Sequence, residues 1–222
     1  MTTGLQAIFG DALVTELGPA AKAQGFRRAR RVWRRSNERG DWAAFDVQSS
    51  QWDTAGSIEC VVNIGAAPQP WLDFRSEAHG VATRNFGPAD GLFRSRLGSR
   101  REEGDDPWWS VESEAEARSV AREIADRMTA EGFPLIDELL DRDQMTERIQ
   151  DGRMGLFSDS NPYWLAVVLA DDGPSRELDE ALERASTYLD PEELQELFAW
   201  CSARSTKAEH KDTHSTTPTD TN

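Results

Sequence analysis

Residues 41–65, DWAAFDVQSSQWDTAGSIECVVNIG, decide how the rest of the chain is read. In the first half Phe45, Val47 and Ser49 alternate with polar or small neighbours. In the second half Ile58, Cys60, Val62 and Ile64 alternate with Glu59, Val61 and Asn63. Successive side chains of a strand point to opposite faces, so this period of two marks two strands with one buried face each. Trp52-Asp53-Thr54-Ala55-Gly56 supplies the turn of a hairpin, although a loop of that length leaves the register open. Gln48 and Ser50 lean to one side of the first strand and Ser49 to the other. Asn63 in the second strand can face Gln48 or Ser50, which makes a small amide and hydroxyl cluster. Such a cluster either orients a ligand or holds the sheet in register, and it contains no base to activate a nucleophile.

Upstream, Leu5, Ile8, Phe9, Ala12, Leu13, Leu17 and Ala20 recur at helical spacing, which predicts an amphipathic helix interrupted at Gly18-Pro19 and stopped near Gly25. Phe26 to Ser36 is the most basic stretch. Read as one strand, it places Arg27, Arg31 and Arg35 on the face of Ala29 and Trp33, with further arginines on the other face. Charge on both faces suits a sheet edge, where it discourages edge-to-edge pairing. Two readings follow. Arg27, Arg31, Arg35 and a stacking Trp33 form an RNA or anion patch, or the arginines pair with acidic helices. Asn37-Glu38-Arg39-Gly40 then reads as the turn into the hairpin.

Downstream, residues 66–91 lose periodicity and gain Pro68, Pro70, Gly80, Gly87, Pro88 and Gly91, which predicts a long loop with at most a short strand or helical turn at Trp71 to Phe74. His79 lies here with no second ligand or acid at a telling spacing. Alternation resumes from Gly91 to Gly98 and sets Arg94 and Arg96 on one side of a strand. Arg100 to Asp106 reads as a turn, and Pro107 to Val111 as a final strand in which Trp109 and Val111 share a face. A groove lined by Gln48, Ser50, Asn63, Arg94, Arg96 and Trp109 is the candidate ligand site, because paired arginines suit phosphate or carboxylate.

The order of short motifs carries a resemblance. Gly25-Phe26-Arg27-Arg28, Val32-Trp33-Arg34-Arg35, Phe45-Asp46-Val47-Gln48-Ser49-Ser50-Gln51-Trp52, Val62-Asn63-Ile64-Gly65, Arg94-Ser95-Arg96-Leu97-Gly98 and Trp108-Trp109 together resemble the bacterial domain-of-unknown-function family four-three-zero-four over roughly residues 8–150. Asp46 stands where an apolar or amide residue is expected. The resemblance implies an α+β domain and transfers no activity, cofactor or catalytic residue.

Beyond Ser113 the chain reads as helical. Ser113 and Glu116 form a capping-box pattern. Ala117, Val120, Ala121, Ile124, Ala125 and Met128 form an apolar stripe that Gly132 is expected to end. Shorter helices follow through Ile149, then over a segment opened by Asp159-Ser160-Asn161-Pro162, from Pro174 to Tyr188, and from Pro191 to Ser205. The predicted fold class is α+β, with an N-terminal helix, an antiparallel sheet of four to five strands, and C-terminal helices covering one face. Residues 1–150 form the α+β domain and residues 151–205 a helical extension packed on it. Residues 206–222 form a disordered tail.

Cys60 and Cys201 lie too far apart for a zinc motif or a disulfide framework. The N-terminus lacks a signal-peptide pattern, and no run approaches the roughly 20 apolar residues of a membrane span. A cytoplasmic protein away from membranes is the expectation. No P-loop, dinucleotide-binding glycine motif or nucleophile elbow occurs, so no cofactor, metal or catalytic residue is assigned.

The net charge of −15 is unevenly spread: residues 1–101 carry 14 Lys+Arg against 10 Asp+Glu, and residues 102–200 carry 8 against 27. Repulsion of phosphates by the acidic half opposes nucleic-acid binding by the whole molecule and favours a basic protein partner. The leading expectation is therefore a non-enzymatic binding or interaction domain, with an immunity-protein-like role as one form of it. The alternatives are an anionic-ligand binder or enzyme using the Arg/Gln/Asn/Trp groove, and RNA binding through the arginine strand. Oligomeric state is open.

Overall fold

The structure, a computed structural model, describes residues 4–50, 56–81, 83–98, 108–156 and 162–215. The expected turns at Trp52 and at Arg100 to Asp106, and the helix start at Asp159 to Asn161, lie outside these residues. The fold is α+β. Contacts divide the chain into two compact units. The first gathers Met1–Ala67, Arg84–Gln144 and Met154–Ser158, and the second Pro68–Thr83, Met145–Arg153 and Asp159–Asn222.

The first unit is built on one antiparallel sheet. Strands β1 (Arg27–Ala29), β2 (Val32–Ser36), β3 (Trp42–Ser49), β4 (Ile58–Ala67) and β5 (Phe93–Arg96) lie in sequence order, and β6 (Trp109–Val111) also pairs with β4. β5 occupies Asn63 to Ala66 along β4, while β6 takes Ile58 to Cys60 on the same strand. The register of β3 on β4 sets Phe45 opposite Ile64, Asp46 opposite Asn63 and Val47 opposite Val62. One face is thereby apolar. Phe45, Val47, Ile58, Cys60, Val62, Ile64 and Ala66 are all buried there. Phe45 is its centre, with ring centroids at 5.0 Å from Phe26, 5.1 Å from Trp33 and 6.0 Å from Phe133.

Helix α5 (Phe133–Leu140) packs on β3 and β4, and α4 (Glu114–Arg127) packs on α1 (Leu5–Glu16) and β6. The predicted break after α1 is real. Gly18-Pro19 opens the short α2 (Gly18–Ala23), with the proline in its first turn where the missing N–H costs nothing. The Ser113 hydroxyl accepts from the Glu116 N–H at 3.3 Å and caps α4. Gly132 does not end the helix as expected. Met128–Gly132 forms a wide π turn that runs directly into α5. Pro134 has no N–H to return to α4, and the wide turn absorbs that gap.

The arginine-rich stretch is a hairpin and not one strand. Ala29 pairs with Val32 across the two residues Arg30 and Arg31, and Arg30 takes the left-handed conformation at φ 59°. β1 is the sheet edge, as its charges imply. Asn37 to Gly40 forms the expected turn, with Gly40 at φ 83°.

The second unit is helical: α3 (Gln69–Glu77), most of α6 (Arg142–Gln150), α7 (Pro162–Leu169), α8 (Arg176–Ala185) and α9 (Pro191–Ser215). α3 corrects the reading of 66–91 as a loop. Pro68 and Pro70 sit at the N-cap and in the first helical turn, where proline starts a helix and does not break one. Trp71, Phe74, Tyr163, Trp164 and Trp200 form a linked aromatic cluster. Arg204 joins Asp73 at 2.7 Å and Asp171 at 2.8 Å. α9 continues as helix ten residues past the boundary drawn at Ser205, and the rest of the expected tail, residues 216–222, lies outside the described residues.

Candidate functional site

The face of the sheet away from α4 and α5 carries the alternate residues: Ala44, Asp46 and Gln48 on β3, Val61, Asn63 and Gly65 on β4, and Arg94 and Arg96 on β5. Registry aligns them, with Asn63 opposite both Asp46 and Arg96 and Gly65 opposite Arg94. The 3-10 turn Pro88–Asp90 lies across this face at Gly65. Together they bound a concavity of about 280 Å³ lined by Asp46, Gln48, Asn63, Ile64, Pro88, Ala89, Arg94, Ser95 and Arg96.

Asn63 is the centre of the site. Its amide nitrogen donates to Asp46 Oδ1 at 2.9 Å and to Gln48 Oε1 at 2.8 Å. Both acceptors are thus turned toward β4, which leaves the Gln48 amide nitrogen as a donor at the rim. Arg94 is held by its backbone: its carbonyl accepts from the Leu156 N–H at 3.1 Å and bridges to Gly155. Gly155 sits at φ +86°, and a Cβ there would lie 2.2 Å from the Arg94 carbonyl oxygen. The Arg96 guanidinium lies 5.6 Å from the ring of Trp108, a half-exposed side chain.

Burial raises the Asp46 carboxyl above its ordinary 3.8, and the hydrogen bond from Asn63 offsets only part of that. Folding therefore shifts the Asp46 titration toward the neutral form relative to the unfolded chain. Charging it costs stability, the cost is present in full above the folded pKa, and it is relieved as pH falls through that value toward 3.8. Asp46→Asn keeps an acceptor for Asn63 and removes the charge. It should raise the melting temperature at neutral pH, with the gain vanishing near pH 3. An equal gain at both pH values would contradict this account.

The structure brings Gln48, Asn63, Arg94 and Arg96 together and leaves two proposed members out. Trp109 pairs with Cys60, so it projects to the helix-covered face, where it is buried and donates through Nε1 to Glu123 at 2.9 Å. Ser50 lies one residue past β3, with its N–H bonded to the Glu59 carbonyl at 2.7 Å. Asp46, Ser95 and the Pro88-Ala89 wall were missed. For Asp46 the signal was present, since it shares parity with Gln48.

The arginine patch separates as well. Trp33 cannot stack on a base, because it is 3% exposed and stacked on Phe45. Arg35 is paired with Asp137 and lies 4.9 Å from the Phe26 ring. Arg27 and Arg31 are exposed. His79 is exposed and packs edge-on against Phe74. Among the described residues there is no cluster of three or more His, Cys, Asp or Glu able to hold a metal, and no helix long and apolar enough to cross a membrane.

These features define an α+β domain whose antiparallel sheet buries one face under helices and offers a polar, arginine-lined hollow on the other. The chain belongs to the family Domain of unknown function (DUF4304), which it matches over residues 17–138. That span runs from the start of α2 into α5 and includes every described residue lining the hollow. No curated protein and no solved structure matches the chain.

Proposed function

We propose that the protein is a non-catalytic binding domain that receives an anionic group, a carboxylate or phosphate, in the hollow on the open face of its sheet. The observation that supports this most is the convergence of Arg94, Arg96 and the Gln48 amide on one concave surface. Guanidinium groups bind oxyanions through parallel N–H donors, and a partly desolvated hollow strengthens that attraction. Among the described residues that line the hollow no nucleophile stands beside a base, and binding is the chemistry these residues supply. An anion beside Asp46 would further disfavour the charged carboxylate, so binding should tighten as pH falls through the folded pKa of Asp46.

Calorimetric titration with pyrophosphate and with succinate tests the proposal. At least one should bind saturably, and the Arg94→Ala/Arg96→Ala variant should lose tenfold or more in affinity, equivalent to about 1.4 kcal/mol. Arg118→Ala, a change at an exposed arginine on α4, should leave affinity unaltered. Absence of binding by both probes, or equal loss in the control, would overturn the proposal.

A second reading, a basic protein partner, is supported by the surface of the second unit. α8 exposes Glu177, Asp179, Glu180 and Glu183, and the first turns of α9 expose Glu192, Glu193 and Glu196. A field of one sign steers an oppositely charged partner and weakens with salt. An oligolysine peptide run in the same titrations separates the readings, because its binding should survive Arg94→Ala/Arg96→Ala and fade with added salt.

A further inference from the structure

A second hollow in the first unit lies between α1 and the hairpin end of the sheet. Gln6, Phe9, Gly10 and Leu13 are spaced i, i+3, i+4 and i+7, so they form one stripe of α1. The stripe faces Trp33, Val47 and Ile58 across a crevice of about 80 Å³. Phe9, Leu13, Trp33, Val47 and Ile58, all buried, form its apolar lining, to which Gln6 and Ser49 add polar groups.

Gly10 sits in the middle of that stripe. A glycine inside a helix weakens folding roughly fivefold relative to alanine. Such a residue is ordinarily kept for close backbone approach or for a left-handed turn. Neither applies here. Gly10 is helical, and a Cβ built on it would meet nothing within 4 Å. The missing side chain leaves room in the crevice that no described atom takes up.

The mouth is cationic. Arg28 and Arg31 line it and are exposed, and the Arg28 guanidinium lies 5.1 Å from the Trp33 ring centroid. Among the described residues neither has an ion-pair partner. An apolar slot beneath two positive charges complements a ligand with an apolar body and an anionic head. The crevice is open at its mouth, and its volume exceeds the roughly 15 Å³ that one water needs and falls below the roughly 150 Å³ of a benzene-binding cavity, so it holds the first few carbons of a chain whose remainder runs out to the mouth.

We infer that this crevice binds a short alkyl chain carrying an anionic head, with the chain against Gly10 and Trp33 and the head between Arg28 and Arg31. The site is separate from the hollow of Arg94 and Arg96 and does not depend on it. Titrations with hexanoate and with hexyl phosphate, followed by the shift of the Trp33 indole N–H in NMR spectra, test the inference. They also show whether carboxylate or phosphate is the better head. At least one should bind saturably, while hexan-1-ol and acetate bind at least tenfold more weakly. Gly10→Phe should abolish binding by filling the slot. Arg28→Ala/Arg31→Ala, which leaves the slot intact, should weaken it tenfold or more, and Arg94→Ala/Arg96→Ala should leave it unchanged. Gly10→Ala should raise the melting temperature of the free protein by a few degrees. Failure of both amphiphiles to bind, equal binding of hexan-1-ol, or full affinity in Arg28→Ala/Arg31→Ala would overturn the inference.

Discussion

Replacing Arg142 by alanine is expected to destabilise the protein by about 3–5 kcal/mol, the cost of leaving a buried charge without its partner. Arg142 and Asp41 form an ion pair in which each side chain is only 3% exposed. The pair is the core of a larger bridge. The Asn37 amide nitrogen donates to Asp41 Oδ2 at 3.1 Å and to the Leu140 carbonyl at 2.9 Å, while the Asp41 N–H donates to Asn37 Oδ1 at 3.0 Å. Through these bonds the turn between β2 and β3 is fastened to the junction of α5 and α6. Alanine at 142 would leave the Asp41 carboxylate dehydrated and short of a charged donor. Urea denaturation should show a lower midpoint with an unchanged slope. Asp41→Leu/Arg142→Met, which removes both charges, should recover most of the loss, because the attraction of a buried pair largely offsets its own desolvation. A loss below about 1 kcal/mol in Arg142→Ala would mean the pair is hydrated in solution.

The second large effect is expected at Gly65. A Cβ there would lie 2.3 Å from the Pro88 carbonyl oxygen and 2.6 Å from Pro88 Cα. Both are backbone atoms, so no rotamer change relieves the clash. The 3-10 turn at Pro88–Asp90 must lift off β4. Gly65→Ala should therefore cost about 3 kcal/mol, the upper part of the usual range for overpacking. The same displacement moves the Pro88-Ala89 wall of the hollow, so anion affinity should fall along with the melting temperature. Gly56→Ala is a fair control, since a Cβ there meets nothing within 4 Å. If Gly65→Ala melts like the wild type, the turn does not rest on β4 as described.

The hollow itself was partly legible. Alternation along β3, β4 and β5 sorted Gln48, Asn63, Arg94 and Arg96 onto strand faces, because parity is a local property of extended backbone. Register was not local. It decided that Asn63 stands opposite Asp46 and not opposite Ser50, and it sent Trp109 to the other face through its pairing with Cys60. Trp33 illustrates the same limit. Between arginines it reads as an exposed aromatic, yet the hairpin turn at Arg30-Arg31 and the pairing with Phe45 carry it into the core.

Residue by residue, then, the chain determined its own helices and strands wherever a period of two or 3.6 was unbroken, and with them the α+β class. The order of short motifs was enough to place it in its family. It misled where proline could either break or begin a helix, at Pro68 and Pro70, and where glycine could either stop or widen one, at Gly132. Only the tertiary structure decided which groups meet across long separations. Asp41 meets Arg142, Gly65 meets Pro88, and Gly10 faces Trp33 across an open slot. The physical reason is common to all three. Periodicity reports which side of an element is apolar, whereas charge pairing, close backbone approach and empty space depend on what the rest of the chain brings to that side.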